Sequence, residues 1–165
     1  MHQVYLGIGG NIGDKRSNFI KTYALIEKEM GGIQEKSSVY ESPPWGFHAE
    51  ENFWNQVVLV KTFFLPEELL PRIHHMESLF NRKREAGKYT SREMDIDILY
   101  FDDIFMETNE LVIPHPRLHQ RLFVLVPLAE IAPELKHPLL RLNSRQLLEN
   151  CRDESIITRV EDFEG

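Results

Sequence analysis

The chain has 165 residues, 42% of them hydrophobic and 27% charged, with a formal net charge of −7. That is enough for one domain with a proper core, and no run of about 18 apolar residues could cross a membrane. The acidic balance argues against broad nucleic-acid binding, which needs a basic face to displace counterions.

Cys151 is the single cysteine. It cannot form an internal disulfide, which fits a reducing cytosol. The start, MHQVYLGIGG, lacks the basic and apolar stretches of a signal peptide. A cytoplasmic protein is expected.

In chain order, VYLGIG (4–9) reads as a buried strand, and GGNIGD follows as a turn with Asp14 placed to cap a helix. Phe19, Tyr23, Ile26 and Met30 form that helix's buried stripe, and Gly31-Gly32 ends it. IQEKSSVYES (33–42) alternates as a second strand, and the consecutive prolines of PPWGFHAEEN make a loop. FWNQVVLVKTFF (53–64) is a third strand. Pro66 opens a second helix with Leu69, Ile73, Met76 and Phe80 inward, and Pro71 implies a bend or a later start. A fourth strand covers 91–101 and ends at Asp102-Asp103. After it come a helix-like stretch at 117–132 and a polar segment from about 151 to 165. The order β-α-β-β-α-β predicts an α+β domain of the ferredoxin-like plan, an antiparallel sheet with helices on one face.

The fourth strand is the unusual one. In SREMDIDILYF, alternation puts Met94, Ile96, Ile98 and Tyr100 on one face and Asp95, Asp97 and Leu99 on the other. Two carboxylates so placed, ~6.6–6.8 Å apart along the strand, can bring oxygens to ~5 Å, where they repel by about 3 kcal/mol at an effective dielectric near 20. Magnesium offsets such a charge pair, because it takes one or two protein carboxylates and keeps positions for phosphate and water. Arg92 could instead neutralise the pair, or the face could be solvated.

Five of the eleven residues in RKREAGKYTSR (82–92) are Lys or Arg. Alone this reads as a solvated loop. Beside a carboxylate pair, Arg82, Arg84 and Lys88 suit a lid over a triphosphate, since phosphoryl transfer is mainly positioning and charge stabilisation. GIGGNIG lacks the Lys-Ser/Thr ending of a P-loop. Its glycines make a tight turn or let another backbone approach.

GGNIGD, YESPPWG, FWNQV, REMDIDIL, IPHPRLHQR and PLAEIAPEL occur in this order. Together they resemble the 6-hydroxymethyl-7,8-dihydropterin pyrophosphokinases of folate biosynthesis, from about residue 4 to 150. The resemblance implies transfer of the terminal pyrophosphate of ATP to the pterin's hydroxymethyl group, with release of AMP. It implies two magnesium ions held by Asp95 and Asp97, Arg82 and Arg92 at the phosphates during transfer, and Arg84 in the closing loop. His115 and Arg121 match positions at the triphosphate, and Glu77 and Ile98 match positions on the nucleoside side. By their residue type alone, Glu77 could be an exposed helix carboxylate and Ile98 a core residue. Asn55, Phe53 and Phe123 match positions around the pterin, where an amide and aromatic rings suit a flat, polar-edged ligand. Ser42, Pro43 and Trp45 stand in the preceding loop, where backbone groups could complete edge recognition.

The chain departs from the family pattern at His74, Glu85, Lys88, Tyr89 and Thr90-Ser91, which bears on loop closure and ATP affinity more than on the chemistry. A monomer acting on small molecules is expected, with no nucleic acid or membrane partner. A metal-dependent enzyme acting on nucleic acid and a non-catalytic binding domain are the competing readings.

Overall fold

The computed structural model describes residues 1–43, 51–80 and 92–163. β1 (His2–Gly10) leads to α1 (Lys15–Glu29), whose first turn is capped by Asp14: its Oδ1 accepts from the Ser17 N–H at 3.2 Å. β2 (Gly32–Lys36) and β3 (Tyr40–Ser42) follow, then β4 (Phe53–Thr62).

The single second strand expected at 33–42 is therefore two short ones. Ser37 breaks it: the Ser37 hydroxyl oxygen accepts the Val57 N–H at 3.0 Å, while the Ser37 carbonyl is taken by the Gln56 side-chain amide at 2.7 Å. A side chain has replaced the backbone in the ladder there.

α2 (Pro66–Ser78) starts at Pro66, not later, and contains Pro71. The intrahelical bond that Pro71 cannot donate would have gone to the Glu67 carbonyl, and both residues are exposed, so water can replace the lost donor. β5 (Asp95–Phe101), the hairpin of β6 (Met106–Glu107) and β7 (Val112–Ile113), α3 (Leu122–Ile131), α4 (Ser144–Glu149) and β8 (Thr158–Arg159) complete the order. The stretch expected to be helical at 117–132 is a 3-10 turn at Leu118–Gln120 followed by α3. The carboxyl-terminal part supplies a helix and a strand that periodicity had not indicated.

The main sheet runs β5-β1-β4-β3-β8, with β2 also pairing β4, and every pairing is antiparallel. Val4, Leu6 and Ile8 of β1, with Val58 and Val60 of β4, pack against Phe19 and Ile26 of α1 and Leu69, Ile73 and Met76 of α2. The opposite face is also covered, which corrects the expectation of helices on one side only. Tyr5, Val57 and Leu99 there meet Leu125 and Leu128 of α3 and Leu147 of α4.

β5 does not alternate regularly to its end. Tyr5 pairs Tyr100 but Leu6 pairs Ile98, so Leu99 is an extra residue, a β-bulge. Beyond it the faces exchange. Tyr100 joins Leu99 on the α3 side and Phe101 joins Ile98 on the other, so Tyr100 does not share a face with Ile96 and Ile98 as strict alternation predicted.

Candidate active site

α3 covers only part of its face of the sheet. Toward the other end of that face β1 presents Gly7 and Gly9, and the missing side chains help to leave a cleft there. Ser42, Pro43, Phe53, Asn55, Arg92, Asp95, Asp97 and Phe123 are among its walls. The Asn55 side-chain amide donates to Ser42 Oγ at 3.2 Å, which fixes its orientation. Phe53 is buried and Phe123 half-buried. The sequence-derived set around the pterin is thus brought together, apart from Trp45, which lies outside the described residues.

A second, larger cleft opens between α2, β5 and the segment that joins β6 to β7. Its walls include His74, Glu77, Ile98, Leu111 and His115. Asp95 and Asp97 line this cleft as well as the first. The two carboxylates stand where the clefts meet, and a group passed from a ligand in one to a ligand in the other has to pass them.

The two carboxylates interact with each other and with Arg92. Burial first, then repulsion from Asp95 and a hydrogen bond shared with it, then Glu77, hold the Asp97 carboxyl well above the usual carboxylate range, and Arg92 opposes them. Arg92 Nη1 lies 2.9 Å from Asp95 Oδ1. This is the neutralising arginine anticipated as the alternative to a metal, and it still leaves Asp97 raised. Among the described residues no group of three or more metal-ligating side chains comes together. Two hard-oxygen ligands facing open space fit magnesium that completes its shell with phosphate and water. They do not fit a closed protein cage.

Glu77 is a buried carboxylate, not an exposed helix one: its Oε2 accepts the Ile96 N–H at 2.9 Å, at the edge of β5. Ile98 is buried on the α2 side and also lines the second cleft. The His115 N–H donates to the carbonyl of the bulged Leu99 at 3.0 Å, which ties the His115 loop to β5. Burial first, then Arg121 and Arg117, push the His115 imidazole down to about 4 against the pull of Asp95, so the ring is neutral at pH 7. Its Nδ1 accepts the Arg117 N–H at 3.2 Å, leaving Nε2 as the N–H donor. Arg121 is buried at the start of α3, its guanidinium 5.4 Å from the Phe123 ring centre, and lines neither cleft. Arg82, Arg84 and the departures Glu85, Lys88, Tyr89, Thr90 and Ser91 lie outside the described residues.

The Gly-Gly-Asn turn proves to be a close approach. A Cβ on Gly10 would stand 2.1 Å from the Glu93 carbonyl oxygen, and one on Gly9 2.4 Å from Asn55 Oδ1. Asn11, fully buried, was not among the expected site residues. Its backbone N–H donates to the Arg92 carbonyl at 2.9 Å, its Oδ1 accepts the Arg92 N–H at 3.0 Å, and its Nδ2 donates to the Glu51 carbonyl at 3.3 Å. One side chain therefore binds the entry to the aspartate strand and the approach to β4. The sequence signal was a polar residue directly after two glycines at the end of an apolar strand.

A profile of the family described as 7,8-dihydro-6-hydroxymethylpterin-pyrophosphokinase matches residues 5–133. The 2-amino-4-hydroxy-6-hydroxymethyldihydropteridine pyrophosphokinase of Aquifex aeolicus is 45% identical over 141 residues, 86% of this chain and 87% of its own length. The Bacillus subtilis protein of the same name is 38% identical over 133 residues, 80% and 79% of the two chains. Among solved structures, Plasmodium falciparum HPPK-DHPS matches with a TM-score of 0.69 at 21% identity over 90% of this chain. The present chain spans only 43% of that longer one, and at such identity the likeness speaks for the fold alone. Nearly all of the sheet, the aspartate pair and both clefts fall within the matched stretch: the chain belongs to the 7,8-dihydro-6-hydroxymethylpterin-pyrophosphokinase family.

Proposed function

We infer that the protein transfers the terminal pyrophosphate of ATP to 6-hydroxymethyl-7,8-dihydropterin, giving AMP and the pterin diphosphate for folate biosynthesis. The observation that carries this is the junction of two clefts at Asp95 and Asp97. The aromatic and amide-lined cleft takes the pterin, and the larger one takes the nucleotide.

The hydroxymethyl oxygen attacks the β-phosphorus. A new O–P bond forms, the bond from the β-phosphorus to the oxygen bridging to the α-phosphorus breaks, and that oxygen leaves with AMP while the hydroxyl proton is released. No side chain becomes covalently attached. Catalysis is then positioning and charge stabilisation.

Asn55 and Ser42, with Pro43, read the ring's polar edge; Phe53 and Phe123 offer it aromatic surface, and Trp45 is assigned to the pterin on the family pattern. Asp95 and Asp97 hold magnesium, two ions on our reading, which when bound offsets charge on the transferred group. Arg92 moves its charge toward the phosphates once Asp95 has another partner. Neutral His115 offers its Nε2–H to a phosphate oxygen, with Arg121 supplying positive charge behind it. Arg82 and Arg84 are assigned to the phosphates on the family pattern. Glu77 and Ile98 form the nucleoside side, where the edge of β5 is accessible from the second cleft.

The strand order β5-β1-β4-β2, with α1 and α2 on one face, supports the ferredoxin-like reading of the α+β fold. We read the chain as a monomeric cytosolic enzyme. No helix among the described residues is long and apolar enough to cross a membrane.

The deciding assay is AMP release from ATP and magnesium, with and without 6-hydroxymethyl-7,8-dihydropterin. Pterin-dependent AMP is expected. ADP in its place would mean single-phosphoryl transfer and a different reaction class, and no product from folded protein would favour a binding domain.

A further inference from the structure

Residues 151–163 lie beyond the stretch matched by the family profile, and they are tied at three points to elements that carry residues of the first cleft or pack behind them. At the near end Asp153 Oδ2 accepts the N–H of Leu122 at 3.0 Å, fixing the first turn of α3 next to Phe123. In the middle β8 pairs with β3, Tyr40 opposite Arg159 and Glu41 opposite Thr158, and the Val160 N–H donates to the Val39 carbonyl at 2.9 Å. At the far end Arg16 Nη1 donates to the Asp162 carbonyl at 2.6 Å, and the Phe163 ring centre lies 5.8 Å from that of Trp54 and 6.1 Å from that of Phe19. The Arg16 guanidinium lies over both Trp54 and Phe163, 5.7 Å from each ring centre.

The site depends on what these ties hold. β3 has three residues, pairs β4 on its other side, and carries Ser42, whose hydroxyl orients Asn55. Without β8 it would be a three-residue edge strand, too short to keep its register by ladder bonds alone. Trp54 is the β4 residue between Phe53 and Asn55, and it faces away from the cleft, into the α1 side.

We propose that residues 151–163 are a positioning strap for the pterin subsite, holding Ser42 and Asn55 from the edge of β3 and from behind Trp54, and Phe123 through the start of α3. This rests on the reading of the first cleft as the pterin site. The hydrogen bonds, strand pairing and ring contacts of the strap given above go to α1, β3, β4, Val39 and the start of α3, so its main effect is expected on one substrate.

The test uses the full chain with Val160→Pro, which removes the donor to Val39, with Phe163→Ala, and with Phe163→Tyr as the conservative variant. The expected result is a rise of about tenfold in the KM for the pterin in the first two, less than about twofold change in the KM for ATP, and near-normal values in Phe163→Tyr. Hydrogen exchange should show faster exchange at Tyr40–Ser42 in Val160→Pro, with β1 unchanged. Unchanged pterin KM in folded variants, or a parallel rise in both KM values, would overturn the strap. If the unaltered protein makes no pterin-dependent AMP, the functional reading fails, while exchange at β3 still decides whether the segment holds that strand.

Discussion

The two faces of the central sheet are made by the same strands and have opposite economies. On the α1–α2 face β1 contributes Val4, Leu6 and Ile8, all buried against helix side chains. On the other face the corresponding positions of β1 are Tyr5, Gly7 and Gly9. Only the Tyr5 end is packed by α3, and the glycine end is left open beside two aspartates. The first face is built to be stable. The second gives up burial at the glycine end and keeps two interacting carboxylates beside an open cleft, an exchange of stability for function that sites commonly show.

Aspartate-to-asparagine exchange at position 97 should separate the two faces most sharply. Asp97→Asn is expected to lower turnover by about 10²–10³-fold or more, the scale of losing a charge-stabilising group. It should at the same time raise the melting temperature, measured without magnesium, by a few degrees, roughly 1 kcal/mol. The sign follows from the raised carboxyl: the folded state binds the proton more tightly than the unfolded state, so the ionised form costs stability as pH rises above the ordinary carboxylate range. A less stable Asp97→Asn protein would mean that the pair is satisfied without a ligand, and the contrast between the faces would fail.

Leu69→Ala, on the opposite face, should cost about 2–5 kcal/mol in denaturant unfolding and leave both KM values of the remaining folded enzyme within about twofold. Asn55→Ala should do the reverse. The half-buried amide loses little folding energy, about 1 kcal/mol, but the KM for the pterin should rise at least about tenfold. A large stability loss in Asn55→Ala would place that residue in the core instead of the site.

A further effect is in acid. His115 is held neutral in the folded state down to about pH 4, whereas the unfolded chain takes up its proton near 6.5. Its contribution to stability is therefore complete above about 6.5 and lost as the pH falls toward 4. Replacing His115 by Gln should flatten the unfolding curve over that window by about 1–2 kcal/mol, and equal pH slopes in the two proteins would count against a buried, neutral imidazole.

What could be read in the sequence follows from how local each signal was. The aspartate pair stood out because strands disfavour such residues, and the helices α1 and α2 because their apolar periods were unbroken. Tyr100 was assigned to the wrong face because a bulge is set by the partner strand. The break at Ser37 needed Gln56 and Val57, 19 and 20 residues away in sequence. Gly10 could not be told from an ordinary turn glycine, since the group that would collide with its side chain belongs to Glu93. The pterin-side residues were named as a set by family resemblance, and geometry brought the described members together in the first cleft. α4 and β8 have too few residues for periodicity to speak.

The bulge at Leu99 also bears on how the strand can change length over evolutionary time. Loss or gain of one residue between Asp95 and Ile98 would swap inside for outside along part of the strand, turning an aspartate toward α1 and α2. Leu99 is different, because it is the spare residue: with it deleted, Tyr100 would stay opposite Tyr5 and Phe101 opposite Val4. A regular strand would result, at the cost of one buried leucine and the carbonyl that holds His115. Single-residue deletions scanned across β5 should therefore be tolerated best at this one position, and homologues that lack the bulge should be found a residue shorter there.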